Sequence, residues 1–437
     1  MIISATKKLE QALENASSYE EWKAAAQACD VRAGLDRWKM LDQSRRYDYV
    51  AIRVRLDRLR ALRARQDHRG LLFNLNEGIH GNIGGMGRAS LYEKAKFGTK
   101  QLVVDYVDEI VAALEHLADP AVADISAEEK LDFFHRADHC FGRTAFMMSG
   151  SGSLLYFHVG VVKTLLEQGL LPNVLSGSSG GAFVGSLVST RSEADLLEKM
   201  QPANLVAEIE AAIGYSKRSS RYKPSVMPID DIHKIVERMI PDLTFQEALE
   251  RTGRHLNISI APAETHQRSR LLNAITSPNV YIREAVLASA AVPGVYPPVT
   301  LAAKDHLGEK QAYLPAEKWV DGSVSDDMPA KRLARLYGVN HYVVSQTNPH
   351  VIPFVTDSKR RQDTIGVWKD AGTKTARALV NAGATTLEKP LSLSPALARV
   401  TNLWLSVINQ DYVGDINILP ASRYFNPFRV LAFLTEK

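Results

Sequence analysis

Residues 144–190 read TAFMMSGSGSLLYFHVGVVKTLLEQGLLPNVLSGSSGGAFVGSLVST, and the fold class follows from how this stretch is divided. TAFMMS (144–149) is an apolar run of buried-strand length, and Gly150, Ser151, Gly152 and Ser153 end it in a turn of small residues. Val159, Val162, Leu165 and Leu166 then fall along one helical face, which stops at Gly169. The pattern repeats with NVLS as a second strand, SGSSGG as its turn and AFVGSLVST as a second helix. Strand, turn and helix twice over make a parallel α/β unit. Loops at the carboxyl ends of such strands gather in one crevice, so the two Gly/Ser turns are expected to face each other.

The second turn fits G-x-S-x-G, with Gly177 and Gly181 framing Ser179. Pattern alone leaves two readings open, a flexible small-residue loop and a strained turn that presents a nucleophilic serine. The strand–turn–helix context favours the second, because a serine there meets the free amides and positive dipole end of a helix. The first turn then gains a role as well. Residues 150–153 offer backbone amides to a developing oxyanion with no bulky side chain in the way. As a phosphate cradle the same turn lacks the Lys-Ser/Thr of a P-loop.

The remainder of the chain bounds the function. It has 437 residues, 45% hydrophobic and 23% charged, with a net charge of +4, too small a surplus to argue for nucleic acid. Cys29 and Cys140 are far apart and lack metal-ligand spacing, so no disulfide framework or metal site is expected. A reducing, cytoplasmic setting is expected, and the polar N-terminal residues do not read as a secretory signal. Residues 1–140 carry helical periodicity over 7–29, 38–65, 99–117 and 126–140, with a capping box at Ser126 and Glu129. The Arg-rich stretch 51–69 reads as a helix with a basic face, either solvated or turned to acidic lipid headgroups. Residues 285–303 (AVLASAAVPGVYPPVTLAA) carry no charge, but Pro293, Pro297 and Pro298 argue against a spanning helix.

A serine nucleophile needs a base. His233, His255, His266, His306, His341 and His350 follow Ser179 in the chain, but none stands in a context that marks it, and His158 precedes it. The other candidate is WVDGSVSDD (319–327), where Asp321 ends a short apolar stretch and Gly322 permits a tight turn. A partly buried carboxylate can take the serine proton directly, although Asp-Gly is more often a plain turn.

These residues together resemble the patatin-like phospholipases, in the branch that contains intracellular triacylglycerol lipases. GSGSLL (150–155), GSSGG (177–181) and DGS (321–323) match its oxyanion turn, nucleophile turn and base motif in order. The segments FQEALERTGRHLNISIAPAETHQRSRLLN, SPNVYIREAVLASAAVPGVYPPV and VNHYVVSQTNPH are similar to that branch as well. LLFNLNEGIHGNIGGMGRASLYEKAKFGTKQLVVDYV resembles the domain of unknown function that precedes the lipase domain there.

The resemblance implies a three-layer α/β/α sandwich with a mainly parallel sheet, preceded by a helical region. Expected boundaries are 1–140, a lipase domain over 141–350 and a helical extension over 351–437. It also implies a Ser179–Asp321 dyad that hydrolyses lipid acyl esters (acylglycerol or phospholipid) without a metal or organic cofactor. Ser151 and Gly152 are the expected amide donors, and Gly150 and Ser153 shape their turn. Contact with a membrane or lipid-droplet surface is expected. Two positions depart from the family pattern: Leu155 replaces the last glycine of the first motif, and Ser323 replaces Gly or Ala in the third. Acyl transfer to an alcohol, and lipid binding without catalysis because of Leu155, remain open at this point.

Overall fold

The alternation along Ala145–Met148 divides a core between two faces of a sheet. Phe146 and Met148 pack with Val162, Val184, Ile258 and Val286, whereas Ala145 and Met147 pack with Met328, Leu333, Tyr337 and Val344. Strand side chains point alternately to opposite faces, so an apolar run without polar interruption requires cover on both sides. Helices Leu155–Glu167, Gly180–Ser189 and Ile282–Ala290 cover one face, and Ala330–Tyr337 contributes to the other. This is the α/β/α sandwich expected from the sequence.

The computed structural model describes residues 2–79, 82–214, 227–264, 269–347 and 414–420. Its strands are β1 (Arg143–Met148), β2 (Val174–Gly177), β3 (His255–Pro262), β4 (Arg270–Leu272), β5 (Ala302–Lys304), β6 (Lys310–Ala312), β7 (Trp319–Asp321), β8 (Val339–Ser345) and β9 (Ile416–Ile418). The main sheet has the order β4-β3-β2-β1-β8-β9, and β7 also pairs with β3. Pairing is parallel from β3 through β9, while β4 and β7 run antiparallel to β3. Strands β5 and β6 form a separate hairpin. Residues 351–437 were expected to be helical. Of these, the described residues 414–420 instead carry β9, which seats Val343 opposite Ile416 in parallel register.

The described residues fall into two compact units, divided between Gly142 and Arg143. The first is all helix and has its own core, including Ile52, Leu56, Leu59, Leu71, Tyr106 and Phe133. Two of its expected helices are interrupted. Ser18 caps Tyr19–Arg32 by accepting the Glu21 amide at 3.2 Å, and Asp48 caps Tyr49–Ala64 by accepting the Ala51 amide at 3.0 Å. Short polar side chains that satisfy the first-turn amides favour a new helix start over continuation. Ser126 caps Ala127–Phe141 as expected, accepting the Glu129 amide at 3.1 Å. The basic face of Tyr49–Ala64 is largely neutralised within the chain: Arg53 meets Asp42 at 2.6 Å and Arg63 meets Glu109 at 2.7 Å.

Candidate active site

Ser179 stands where β2 gives way to the helix Gly180–Ser189, with φ 50° and ψ −121°. This is a sparsely populated conformation for a residue with a Cβ, and holding it costs of order 1–3 kcal/mol. The flanking glycines make it attainable through close approach. A Cβ on Gly177 would lie 2.3 Å from the Gly181 carbonyl group, and one on Gly181 would lie 2.5 Å from the Met148 carbonyl oxygen. Ser289 completes the turn by accepting the Ser179 amide at 2.9 Å, and its hydroxyl donates to the Ser259 carbonyl at 2.8 Å.

Asp321 reaches the same place from above. Strand β3 overhangs β2, because Gly177 pairs with Ile258 and the last residues of β3 continue beyond it. Ile260 has β4 on one side, so β7 takes the vacated edge on the β2 side and pairs Asp321 with Ile260. The carboxylate therefore sits just past the end of β2, over the turn that carries Ser179. The Ser179 hydroxyl is near enough to it to help hold its pKa down. Asp321 also accepts the Ser323 amide at 2.8 Å and donates its own amide to the Ala291 carbonyl at 3.0 Å. Only 3% of Asp321 is exposed, and burial pushes its carboxyl up to about 6 despite the neighbouring Ser323 and Ser179, which hold it down. A carboxylate poised near neutrality beside a serine hydroxyl can act as a general base.

The first small-residue turn lies beside both. A Cβ on Gly150 would lie 3.0 Å from the Ser323 Cβ and 3.7 Å from the Ser179 Cβ, so all three motifs meet at this glycine. Gly152 adopts φ 50° and opens a short 3-10 turn, Gly152–Leu154, that includes Ser153. The Ser151 hydroxyl is buried against Gly180. Behind the turn, His158 is buried with Nδ1 2.7 Å from the Ser345 hydroxyl and Nε2 3.0 Å from the Ser149 carbonyl. Burial drives the His158 imidazole down to about 4, so it is neutral, and Nε2 carries the proton donated to Ser149. His158 is thus a prop for the turn.

Among the described residues, His341 and His255 lie at the amino-terminal ends of β8 and β3, the opposite edge of the sheet from Ser179. His266 and His350 lie outside the described residues.

The family model described as patatin-like phospholipase matches residues 146–334, and one described as a domain of unknown function (DUF3336) matches residues 2–139. Triacylglycerol lipase ptl3 of Schizosaccharomyces pombe is 33% identical, over 94% of this chain and 86% of that protein. The chain belongs to the patatin-like phospholipase family. Triacylglycerol lipase ptl2 of the same yeast is 36% identical over 80% of this chain and 55% of its own length. A patatin-like phospholipase domain-containing protein of Aspergillus niger is 37% identical over 80% of this chain and 49% of that protein. The chain thus spans most of ptl3 but about half the length of the latter two relatives. Among solved structures, VipD from Legionella pneumophila matches at 13% identity with a TM-score of 0.29, over 67% of this chain and 74% of that one. That likeness is too weak to bear on fold or activity.

Against the patatin-like pattern, Leu155 is a departure with a consequence for packing. It is the first residue of Leu155–Glu167, half-buried and packed against the core cluster. Its Cβ stands 3.2 Å from where a Cβ on Gly180 would lie. Leu155→Gly therefore loses packing as well as helix propensity, and a stability loss of about 2 kcal/mol is expected by chemical denaturation. Turnover should stay within about tenfold of wild type, because the side chain lies past the 150–152 amides. A variant that turns on a wild type inert toward every ester lipid would instead make Leu155 the block.

Proposed function

We propose that this patatin-like protein hydrolyses lipid acyl esters through a Ser179–Asp321 dyad, with acylglycerols as the first substrates to test. Asp321 takes the Ser179 proton as the hydroxyl oxygen attacks the ester carbonyl, and the amides of Ser151 and Gly152 hold the resulting oxyanion. The alcohol leaves with the proton from Asp321, and an acyl group stays on Ser179. Asp321 then deprotonates a water that attacks the acyl-enzyme, releasing a fatty acid and restoring the serine. The observation that carries the reading is the placing of a buried carboxylate, Asp321, over the strained turn that presents Ser179. The names of the two yeast relatives favour triacylglycerol within the ester class. Fatty-acid release from a panel of purified tri-, di- and monoacylglycerols and phospholipids is the test. Release from none of them overturns the proposal.

Access to such a substrate requires a lipid surface. No helix among the described residues is long and apolar enough to cross a membrane. Exposed apolar side chains do border the dyad from two segments. Leu154 and Tyr156 follow the 150–153 turn, and Val292 and Val295, the latter 50% exposed, follow the Ala291 carbonyl that holds Asp321. Peripheral contact at this rim is part of the proposal. Leu154→Asp combined with Val295→Asp should lower hydrolysis of emulsified long-chain triacylglycerol about tenfold, since apolar burial drives interfacial binding. Turnover of a soluble short-chain ester should hardly change. Equal losses on both substrates would place the effect in the site itself.

A further inference from the structure

The short segment that carries Asp321 supplies a second buried carboxylate. Asp327 follows the helix Ser323–Asp326 and is 1% exposed. Its Oδ1 accepts the Gly150 amide at 2.9 Å and also the hydroxyl of Ser178. Those two donors belong to different motifs. Gly150 opens the turn whose next two amides face the oxyanion in the proposed mechanism, and Ser178 immediately precedes the nucleophile. Ser178 is itself fully buried. One carboxylate oxygen thus fastens the two turns together at a point adjacent to both. The neighbouring Asp326 is turned elsewhere, to Arg332 at 3.1 Å.

We infer that Asp327 is a positioning residue for ester hydrolysis, fixing the oxyanion turn against the nucleophile turn. The role rests on the Ser179–Asp321 reading but is separate from proton transfer. With the Gly150 amide committed to Asp327, the 150–151 and 151–152 peptides are the next units along the turn, and their orientation depends on that anchor. Preorganised donors act on the transition state only if they are already aimed, so loss of the anchor should fall on kcat and spare KM. Burial, together with the charges of Asp321 and Asp326, pushes the Asp327 carboxyl up to about 7 against the two donors that hold it down. A neutral carboxamide should therefore replace it with little penalty, because an amide oxygen accepts the same two hydrogen bonds.

The test compares Asp327→Ala, Asp327→Asn and Ser178→Ala in the full chain, with circular dichroism to confirm folding. Two rates are read, turnover of a soluble ester and covalent labelling by a fluorophosphonate, whose phosphoryl oxygen uses the same donors. Asp327→Ala should lower both rates about 100-fold at nearly constant KM. Asp327→Asn should recover most of that loss. Ser178→Ala, which removes one of the two fastenings, should fall between. If Asp327→Ala does not fold, the other two variants decide: Asp327→Asn should stay near wild type while folded Ser178→Ala shows the kcat loss. Wild-type rates in Asp327→Ala, or in folded Ser178→Ala when Asp327→Ala does not fold, overturn the inference. So does a loss in Asp327→Asn as deep as in Asp327→Ala, or a loss expressed in KM. Labelling of wild type that persists in Ser179→Ala is a different failure, because it removes the dyad itself and the positioning role with it.

Discussion

Ser179→Ala is expected to lower ester hydrolysis by at least about 10³-fold, a barrier increase of about 4 kcal/mol. The variant should fold normally, because the alanine keeps the Cβ and the Ser179 amide still donates to Ser289. A fluorophosphonate should label wild type and leave this variant unlabelled. Ser179→Gly provides the control for strain. At φ 50° and ψ −121° a glycine relieves the cost of a Cβ, so this variant should be more stable than Ser179→Ala by about 1 kcal/mol while equally inactive. Labelling that survives in either variant would put the nucleophile elsewhere.

The second large effect is expected from Asp321→Asn. An amide cannot take the serine proton, and loss of a general base costs about 10²–10⁴ in kcat. Stability should move the other way. The folded protein holds the Asp321 proton more tightly than the unfolded chain, with its carboxyl raised from 3.8 to about 6. Its contribution to stability is therefore full below about pH 4 and is lost as pH rises through about 6. At pH 8 wild type carries a buried charge that Asn does not, and the variant should be more stable there by about 1–3 kcal/mol. The same shift sets the acid limb of activity: kcat/KM should fall about tenfold per pH unit below about 6 and level off above it. Full wild-type activity at pH 4.5 would exclude Asp321 as the base.

What could be read in advance followed the range of the contacts involved. Strands β1 and β2, their turns and the helices after them lie within 47 residues of sequence, and each is specified by local pattern: apolar run, small residues, apolar helical face. Asp321 was a weaker reading from residues alone, because its place depends on β3 overhanging β2 and on β7 running antiparallel into the gap. Nothing in WVDGS encodes that direction, and it was the family resemblance that singled out Asp321 as the base. Two residues of the site were missed. Ser289 sits in an apolar run, AVLASAA, and it is the one polar side chain there, a signal that a buried partner exists. Asp327 follows another aspartate in SDD, which reads as a solvated turn. Only the tertiary approach of β1 and β2 reveals it as buried. The expected helices over 7–29 and 38–65 failed for a local reason, because Ser18 and Asp48 cap new starts inside them.

The seating of β9 beside β8 has a consequence for how the protein is made. All the residues of the proposed site lie before residue 346, yet among the described residues the second neighbour of β8, on the side away from β1, arrives only at Ile416, after the 70 residues 346–415. At roughly 5–20 residues per second of ribosomal synthesis, that interval lasts about 4–14 s. Throughout it, a nascent chain has Ser179 and Asp321 already synthesised but bares one edge of β8, a row of amides and carbonyls open to any other strand. Translation that stalls within 346–415 should therefore yield chains that hold the dyad and still aggregate, which sedimentation of released truncated products would measure.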